Sequence, residues 1–362
     1  MEKKISNVCK IVSEKISINE INKDNYISTE NMLPNYGGVQ KASSLPKYNV
    51  NSYKLGDILL SNIRPYFKKI WFASKDGGCS NDVLVIRSNN DILDKYLYYS
   101  LTNDRFINYY VASCKGTKMP RGNKNALLDW IINVPSLKYQ QHIVNTIGSI
   151  DDLIDNYNKQ VDTICLILKQ SLLKYNDKIT IDSYNPTIIK SGIKPFDLTK
   201  NYLDTSSVNN LNNIEGKEMI SYKERPSRAN MQPIANSIWF AKMKGSNKKI
   251  LISNLDKDLI NNYVLSTGFL GIKESDKLPL SFLTAVIISN EFDIQRDLNS
   301  VGTTMAGVNN ETFSKILVPK LSQKEVKIFN EENKCFIEQL SYLRKKINAL
   351  NSIKTLLLNK YF

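Results

Sequence analysis

The sequence predicts an α+β fold: two tandem mixed α/β domains, each followed by a long helix, with the two helices pairing as an antiparallel coiled coil. Three observations carry that expectation. Ordered marks recur in both halves, two distant segments carry apolar stripes at coiled-coil spacing, and short β-branched or aromatic runs alternate with turn residues elsewhere. The expected boundaries are 1–138 for the first domain, 139–177 for the central long helix, 178–321 for the second domain and 322–362 for the C-terminal long helix. At 362 residues the chain has room for two cores of ordinary size.

In the first domain Asp57–Ser61, Lys69–Ala73 and Asp82–Arg87 read as strands, because β-branched and aromatic residues suit a pleated, half-buried surface. Arg64-Pro65 and Asp76-Gly77-Gly78 supply turns between them. Ile92 to Asn108 has helical spacing through Leu93, Tyr96, Leu97 and Leu101, with Asp91 or Asn90 as a candidate cap. Gly116 to Lys124 is too rich in glycine and charge for an element and reads as a basic loop. Trp130 to Pro135 is a short apolar run that closes the domain.

From Tyr139 to Tyr175 the apolar residues Ile143, Ile147, Ile150, Ile154, Tyr157, Val161, Ile164 and Leu168 alternate by four and three, which places them on one seam. Thirty-seven residues (175 − 139 + 1) make a rod about 55 Å long at ~1.5 Å per residue. Such a rod needs a partner. Lys324 to Tyr361 supplies one, with Val326, Phe329, Phe336, Leu340, Leu343, Ile347, Leu350 and Leu357 on a similar seam and Asn333 at one seam position.

The repeat rests on five marks in one order. Tyr26-Ile27-Ser28-Thr29 is echoed by Tyr202-Leu203-Asp204-Thr205, and Trp71-Phe72-Ala73 by Trp239-Phe240-Ala241. Val85-Ile86-Arg87 matches Gly271-Ile272-Lys273, Gly116-Thr117-Lys118-Met119 matches Gly302-Thr303-Thr304-Met305, and Val134-Pro135 matches Val318-Pro319.

Lys plus Arg exceed Asp plus Glu by 49 − 35 = 14, so a polyanionic partner is expected. The excess is clustered: residues 217–249 carry eight bases against two acids, and 105–124 five against none. Five dispersed cysteines, without CxxC or Cys/His spacing, point to no zinc site or disulfide framework and to a reducing compartment. The polar N-terminus and the lack of any ~20-residue apolar run favour a cytoplasmic protein with no membrane partner. The most apolar stretch, Leu278 to Ile288, is interrupted by Pro279 and Ser281.

Catalytic signatures are missing. The single histidine, His142, falls at the start of a long helix, and there is no GxxxxGK[ST], no GxSxG and no singled-out carboxylate pair. Asn185-Pro186-Thr187 is not the Asn-Pro-Pro-type tetrapeptide of a DNA methyltransferase. No catalytic, cofactor-binding or metal residue is therefore expected in this chain. What remains is a binding surface, because exposed Lys and Arg gain affinity for DNA by releasing its counterions. The candidates are Arg64, Tyr66, Lys68 and Lys69 between strands, and Thr117, Lys118, Arg121 and Lys124 on the glycine-rich loop. In the second half they are Lys223, Arg225, Arg228, Lys242, Lys244, Thr303 and Thr304, with Lys248 and Lys249 in comparable positions. Arg, Asn and Gln suit base edges, and Lys suits phosphates.

Tyr26 to Met32, Gly56-Asp57-Ile58-Leu59-Leu60-Ser61-Asn62-Ile63-Arg64-Pro65, and Gly116-Thr117 leading through Ile132-Asn133-Val134-Pro135 to Gln140-Gln141 and Ile143 resemble the specificity subunits of Type I restriction-modification systems. The second half resembles them more loosely. Met219 to Ala229 is similar in character, but the Gly-Asp-Ile-Leu segment is absent before Trp239, and Thr304-Met305-Ala306-Gly307 stands where the first half has Lys118-Met119-Pro120-Arg121. The two halves are therefore expected to read different sequences. The resemblance implies a non-catalytic protein whose two target-recognition domains read the halves of a bipartite, asymmetric site in double-stranded DNA. Its long helices would fix the spacing and dock methyltransferase subunits, usually two, that carry S-adenosylmethionine. Restriction motor subunits using ATP and Mg would join them, for DNA methylation and phage defence. The alternatives from other classes are a stand-alone DNA-modifying or cleaving enzyme and a coiled-coil adaptor without DNA specificity.

Overall fold

The computed structural model describes all residues except 117–118, 212, 215–217 and 304–305. It divides into two compact units, Met1–Ile154 with Leu350–Phe362, and Asp155–Ala349.

In the first unit one antiparallel sheet has the order Cys9–Val12, Val83–Ser88, Ile58–Ser61, Ile70–Phe72. A second has the order Lys15–Ile16, Val50–Tyr53, Gly77–Cys79, Tyr26–Ile27, its last pair parallel. Because side chains alternate along a strand, Ile58 and Leu60 join the cluster under the helices while Leu59 joins Tyr53, Val85 and Trp71 on the other face. Both faces are covered, which is why the run from 58 to 60 is apolar without alternation. Glu2–Lys4 pairs antiparallel with Ile131–Asn133.

The single helix expected over 92–108 is two, Asp94–Leu101 and Asp104–Ala112. Asn103 separates them. Its side chain accepts from the Phe106 amide at 3.0 Å, and a short polar side chain that satisfies an orphan N–H starts a new helix. Neither Asn90 nor Asp91 caps the first of the pair. Leu93 holds that position without a side-chain cap, and its own N–H donates to Gln140 Oε1 at 2.9 Å.

The second unit repeats this plan. One sheet runs Thr187–Ile188, Phe269–Lys273, Ser237–Ala241, Lys249–Ile252, and the other Glu218–Ile220, Lys200–Leu203, Tyr263–Ser266, Ala229–Met231. Lys178–Thr180 pairs with Leu317–Pro319 as Glu2–Lys4 does with Ile131–Asn133. The outer strand differs: Lys15–Ile16 flanks Val50–Tyr53, whereas Glu218–Ile220 flanks Lys200–Leu203 on the opposite edge.

The register corrects one of the five repeat marks. Ile58 pairs with Ile86 and Ile238 with Ile272, so Ser237–Ala241 is the counterpart of Asp57–Ser61, not of the strand that carries Trp71. The Gly-Asp-Ile-Leu segment is therefore present in altered form, as Asn236-Ser237-Ile238-Trp239. Gly56 and Asn236, at its head, both have left-handed backbones (φ 90° and 54°). Each tryptophan fills the equivalent layer of its own unit, from strands that are neighbours in the shared strand order. Trp71 lies opposite Leu59, and Trp239 lies opposite Ile250.

The long helices span Leu137–Ser171 and Gln323–Tyr361. Within the first unit Ile143, Val144 and Ile147 pack with Leu358, Tyr96 and Tyr99, and Asp151 accepts from the Tyr99 hydroxyl at 2.8 Å and pairs with Lys354 at 2.6 Å. Within the second unit Ile164 and Leu168 share a core with Val326, Phe329, Leu340 and Leu343. There the helices run antiparallel, since Tyr157 meets Lys346 (3.3 Å) while Ser171 meets Asn333 (3.2 Å) and Lys174 meets Glu332 (3.1 Å). Ile150, Ile154, Tyr157, Val161, Phe336, Ile347, Leu350 and Leu357 are half-buried. Asn333 is buried, donating to the Phe329 carbonyl at 2.8 Å.

The most apolar segment forms a fully buried helix, Leu280–Ile288, and among the described residues no helix is long and apolar enough to cross a membrane. Burial pushes the Cys9 and Cys79 thiols up to about 12, so both behave as small apolar groups.

Candidate nucleic-acid interface

Each unit builds its candidate surface from two loops. In the first, the chain leaves Ile58–Ser61 and makes a one-turn helix, Pro65–Phe67, between Arg64 and Lys68. Both flanking residues are left-handed (φ 48° and 53°), a conformation that costs a non-glycine residue about 1–2 kcal/mol. Strain of that kind concentrates at functional positions. A second loop, described at Lys115–Gly116 and Met119–Gly122, lies alongside. The Arg64 amide donates to the Pro120 carbonyl (2.9 Å), the Gly122 amide donates to the Asn62 carbonyl (3.0 Å), and Ile63 bridges Arg121.

The second unit reproduces these bonds one for one. The Lys244 amide donates to the Ala306 carbonyl (2.9 Å), the Val308 amide donates to the Lys242 carbonyl (3.0 Å), and Met243 bridges Gly307. Arg64 and Lys244 are thus equivalent, as are Arg121 and Gly307. Arg64 and Lys244 are both exposed, and neither has an ion pair among the described residues.

The remaining candidates divide by environment. Tyr66 and Lys124 are exposed, Lys124 as the first residue of the short helix Lys124–Asp129 and not in a loop. Arg121 pairs with Asp82 at 3.2 Å, in the open. Lys68 pairs with Asp104 at 2.6 Å, and Lys69 donates to the Thr29 carbonyl at 2.6 Å. Burial holds the Lys69 ammonium below its usual range. Thr117, Lys118 and Thr304 lie outside the described residues; Thr303 is exposed.

In the second unit Lys223 and Arg228 are exposed. Lys242 is half-buried, and burial, then the Arg228 charge, lowers its ammonium. Two like charges near one another favour an anionic ligand. Arg225 stacks on Tyr222 at 4.1 Å, Tyr222 meets Phe196 edge-on at 5.5 Å, and Lys200 lies 5.2 Å from the Phe196 ring. Lys200 and Phe196 escaped the sequence reading because they stand more than twenty positions before Tyr222 (222 − 200 = 22). Lys249 is a correction. It is buried, not a loop cation, and pairs with Asp293 at 2.8 Å, because its position faces the helix Asn290–Leu298. Lys248 is half-buried.

His142 lies exposed on the central helix beside Tyr139, and among the described residues no group of three or more His, Cys, Asp or Glu side chains is gathered as a metal site requires.

Fold and loops together define a protein of tandem mixed α/β domains, each presenting a paired basic loop. Residues 1–166 match the model of the Type I restriction modification DNA specificity domain. The chain is 25% identical over 182 residues to the Type I restriction enzyme HindI specificity subunit of Haemophilus influenzae, covering 48% of this chain and 39% of that protein. It is 29% identical over 112 residues to the EcoDI specificity subunit of Escherichia coli, covering 31% of this chain and 25% of the relative. The matched stretches thus span well under half the length of these relatives. A crystal structure of the Type I restriction-modification system S subunit from M. genitalium aligns over 100% of this chain and 96% of that one, with a TM-score of 0.48 and 15% identity.

Proposed function

We propose that this chain is the sequence-reading subunit of a Type I restriction-modification complex, in which each α/β unit reads one half of a bipartite, asymmetric site in double-stranded DNA. The observation that carries the reading is the duplicated loop pair, which holds Arg64 and Lys244 at equivalent exposed positions by the same backbone hydrogen bond. A duplicated fold presenting different side chains at matched positions suits a site with two unlike halves. The match of residues 1–166 to a DNA specificity domain and the two named relatives support it.

In this reading the chain itself is non-catalytic. Two methyltransferase subunits bring S-adenosylmethionine, and motor subunits bring ATP and Mg. The long helices set the half-site spacing and present apolar side chains for docking: Leu153 and Leu356 in the first unit, Leu166 and Tyr342 in the second, all exposed. The protein acts in the cytoplasm.

The test is to map methylated adenines in genomic DNA with and without the gene. Two half-sites at one fixed spacing are expected, and an unchanged methylome sinks the reading. For the loops, Arg64→Ala and Lys244→Ala in the assembled complex should each weaken DNA binding and reduce the salt slope by about one. Metal- or cofactor-dependent activity of the chain alone would favour an enzyme instead.

A further inference from the structure

We infer that Tyr110 and Arg296 are positioning residues, each locking the loop pair of its own unit and so setting which half-site sequence that unit accepts. This rests on the DNA-reading function proposed above. The two residues occupy the same place in the fold. Asn103 and Ser289 cap the helices Asp104–Ala112 and Asn290–Leu298, each accepting from a phenylalanine amide, of Phe106 and Phe292. Tyr110 and Arg296 both follow their cap by seven positions (110 − 103 and 296 − 289), and both are buried despite their polar ends.

Each polar end reaches the loop that follows the equivalent strand. The Tyr110 hydroxyl donates to Asn62 Oδ1 at 2.9 Å, and Asn62 is the residue whose carbonyl takes the Gly122 amide. The Arg296 guanidinium donates to the Ser246 carbonyl and to Asp297, while the Asp297 carboxylate accepts from the Gly245 amide at 3.0 Å. Arg296 also pairs with Asp293 at 3.0 Å, which in turn holds Lys249. A hydrogen bond or ion pair from a buried side chain at this point fixes the loop carrying Arg64, or the loop carrying Lys244.

The opposite loop is shaped to match. A Cβ on Gly122 would lie 2.1 Å from the Tyr110 hydroxyl oxygen, so the ring occupies the space that a side chain at 122 would take. The equivalent position in the second unit is Val308, which is buried and carries the side chain that Gly122 lacks. Tyr110 with Gly122, and Arg296 with Val308, are the pairs the two units carry at matched positions, and they support the same backbone bonds between the loops with different side chains. The half-site preference therefore depends on a pair of residues beneath the loops as well as on the side chains that meet DNA.

The experiment uses the complex assembled with its methyltransferase subunits and two sets of duplexes, each with single base changes in one half-site. Tyr110→Phe removes one oxygen and keeps the ring. It should lower methylation of the cognate site about fivefold, the worth of one hydrogen bond, and flatten discrimination at one half-site only. Arg296→Lys should flatten the other half-site only, and Gly122→Ala, which crowds the ring from the far side, should reproduce the Tyr110→Phe pattern. Thermal unfolding of Tyr110→Phe, read beside these rates, should stay close to wild type. Unchanged discrimination in Tyr110→Phe and Arg296→Lys, or equal loss at both half-sites, overturns the assignment. If Gly122→Ala or Arg296→Lys fails to fold, the Tyr110→Phe comparison decides alone. A wild-type complex with no half-site preference overturns the DNA-reading function itself, an outcome distinct from a discriminating wild type whose variants behave alike.

Discussion

Trp239 and Gly271 face each other across paired strands of the second unit, and a Cβ on residue 271 would lie 2.5 Å from the indole ring. The first unit has Leu59 and Val85 at these places. Gly271→Ala should cost about 1–3 kcal/mol through overpacking, measured by chemical denaturation, and Trp239→Leu in the same chain should recover part of it. No recovery would mean that the strand itself, not the ring, resists the methyl group. This exchange also explains what the sequence concealed. Matching Trp71-Phe72-Ala73 to Trp239-Phe240-Ala241 follows residue identity, whereas the sheet conserves a filled layer, and either strand can supply the large ring. The true counterpart of Gly56-Asp57-Ile58-Leu59 kept only an isoleucine and a left-handed residue at its head, too little to be seen without the pairing register. The loop cations were better exposed to reading, since Arg64 and Lys244 sit beside turn residues in runs of like charge. Lys249 was not, because only a strand register shows that it points inward at Asp293.

At the scale of elements, the C-terminal helix is tied to the second unit by polar contacts as well as by its seam. Arg344 pairs with buried Asp256 and donates to the Leu251 carbonyl at 2.7 Å, and Ser341 donates to the same carboxylate at 2.8 Å. Burial alone would raise the Asp256 carboxyl, but the Arg344 guanidinium, with Ser253 and Ser341, holds it below its ordinary value of 3.8. A carboxyl whose folded pKa is depressed stabilises the fold above the unfolded value and loses that contribution as pH falls through the folded one. Wild-type stability should therefore drop more steeply below about pH 4 than that of Asp256→Asn, followed as denaturation midpoint against pH. Arg344→Met, which strands the carboxylate, should cost about 3–5 kcal/mol at neutral pH. Asn333 makes a separate prediction. A buried seam amide fixes register at some expense of stability, so Asn333→Leu should raise the denaturation midpoint and reduce zero-length crosslinking between Lys174 and Glu332. Undiminished crosslinking would show that the other seam residues suffice. These helices were legible because their period survives any domain placed between them; the break at Asn103 falls inside the stretch expected as one helix, although the apolar spacing of Leu93, Tyr96, Leu97 and Leu101 stops short of it.

For the molecule as a whole, the proposed function makes helix length part of the specificity. Seven residues added to each long helix at opposed positions, after Ile154 and after Ala349, lengthen each by about 10 Å, or about three base pairs of B-DNA. The methylated sites should keep both half-sites and gain that spacer; new half-sites, or an unchanged spacer, would separate the helices from the choice of spacing. The tandem plan was readable from the order of marks along the chain. The division into units was less so, because Leu350–Phe362 joins the first one. There Leu358 enters the core with Ile143, the Phe362 ring packs on Tyr96 at 5.0 Å, and Arg105 donates to the Phe362 carbonyl at 3.2 Å.

That late segment bears on how the protein is made. The 195 residues of the intervening unit (349 − 155 + 1) are translated between Ile154 and Leu350. At ~5–20 residues per second, the first unit waits about ten to forty seconds with part of its apolar surface uncovered. The second unit, continuous in the chain, has no such wait. Nascent chains are thus asymmetric even though the finished domains are alike, and a ribosome stalled anywhere in the second unit leaves the first one unfinished and open to chaperones, proteases or a neighbouring nascent chain.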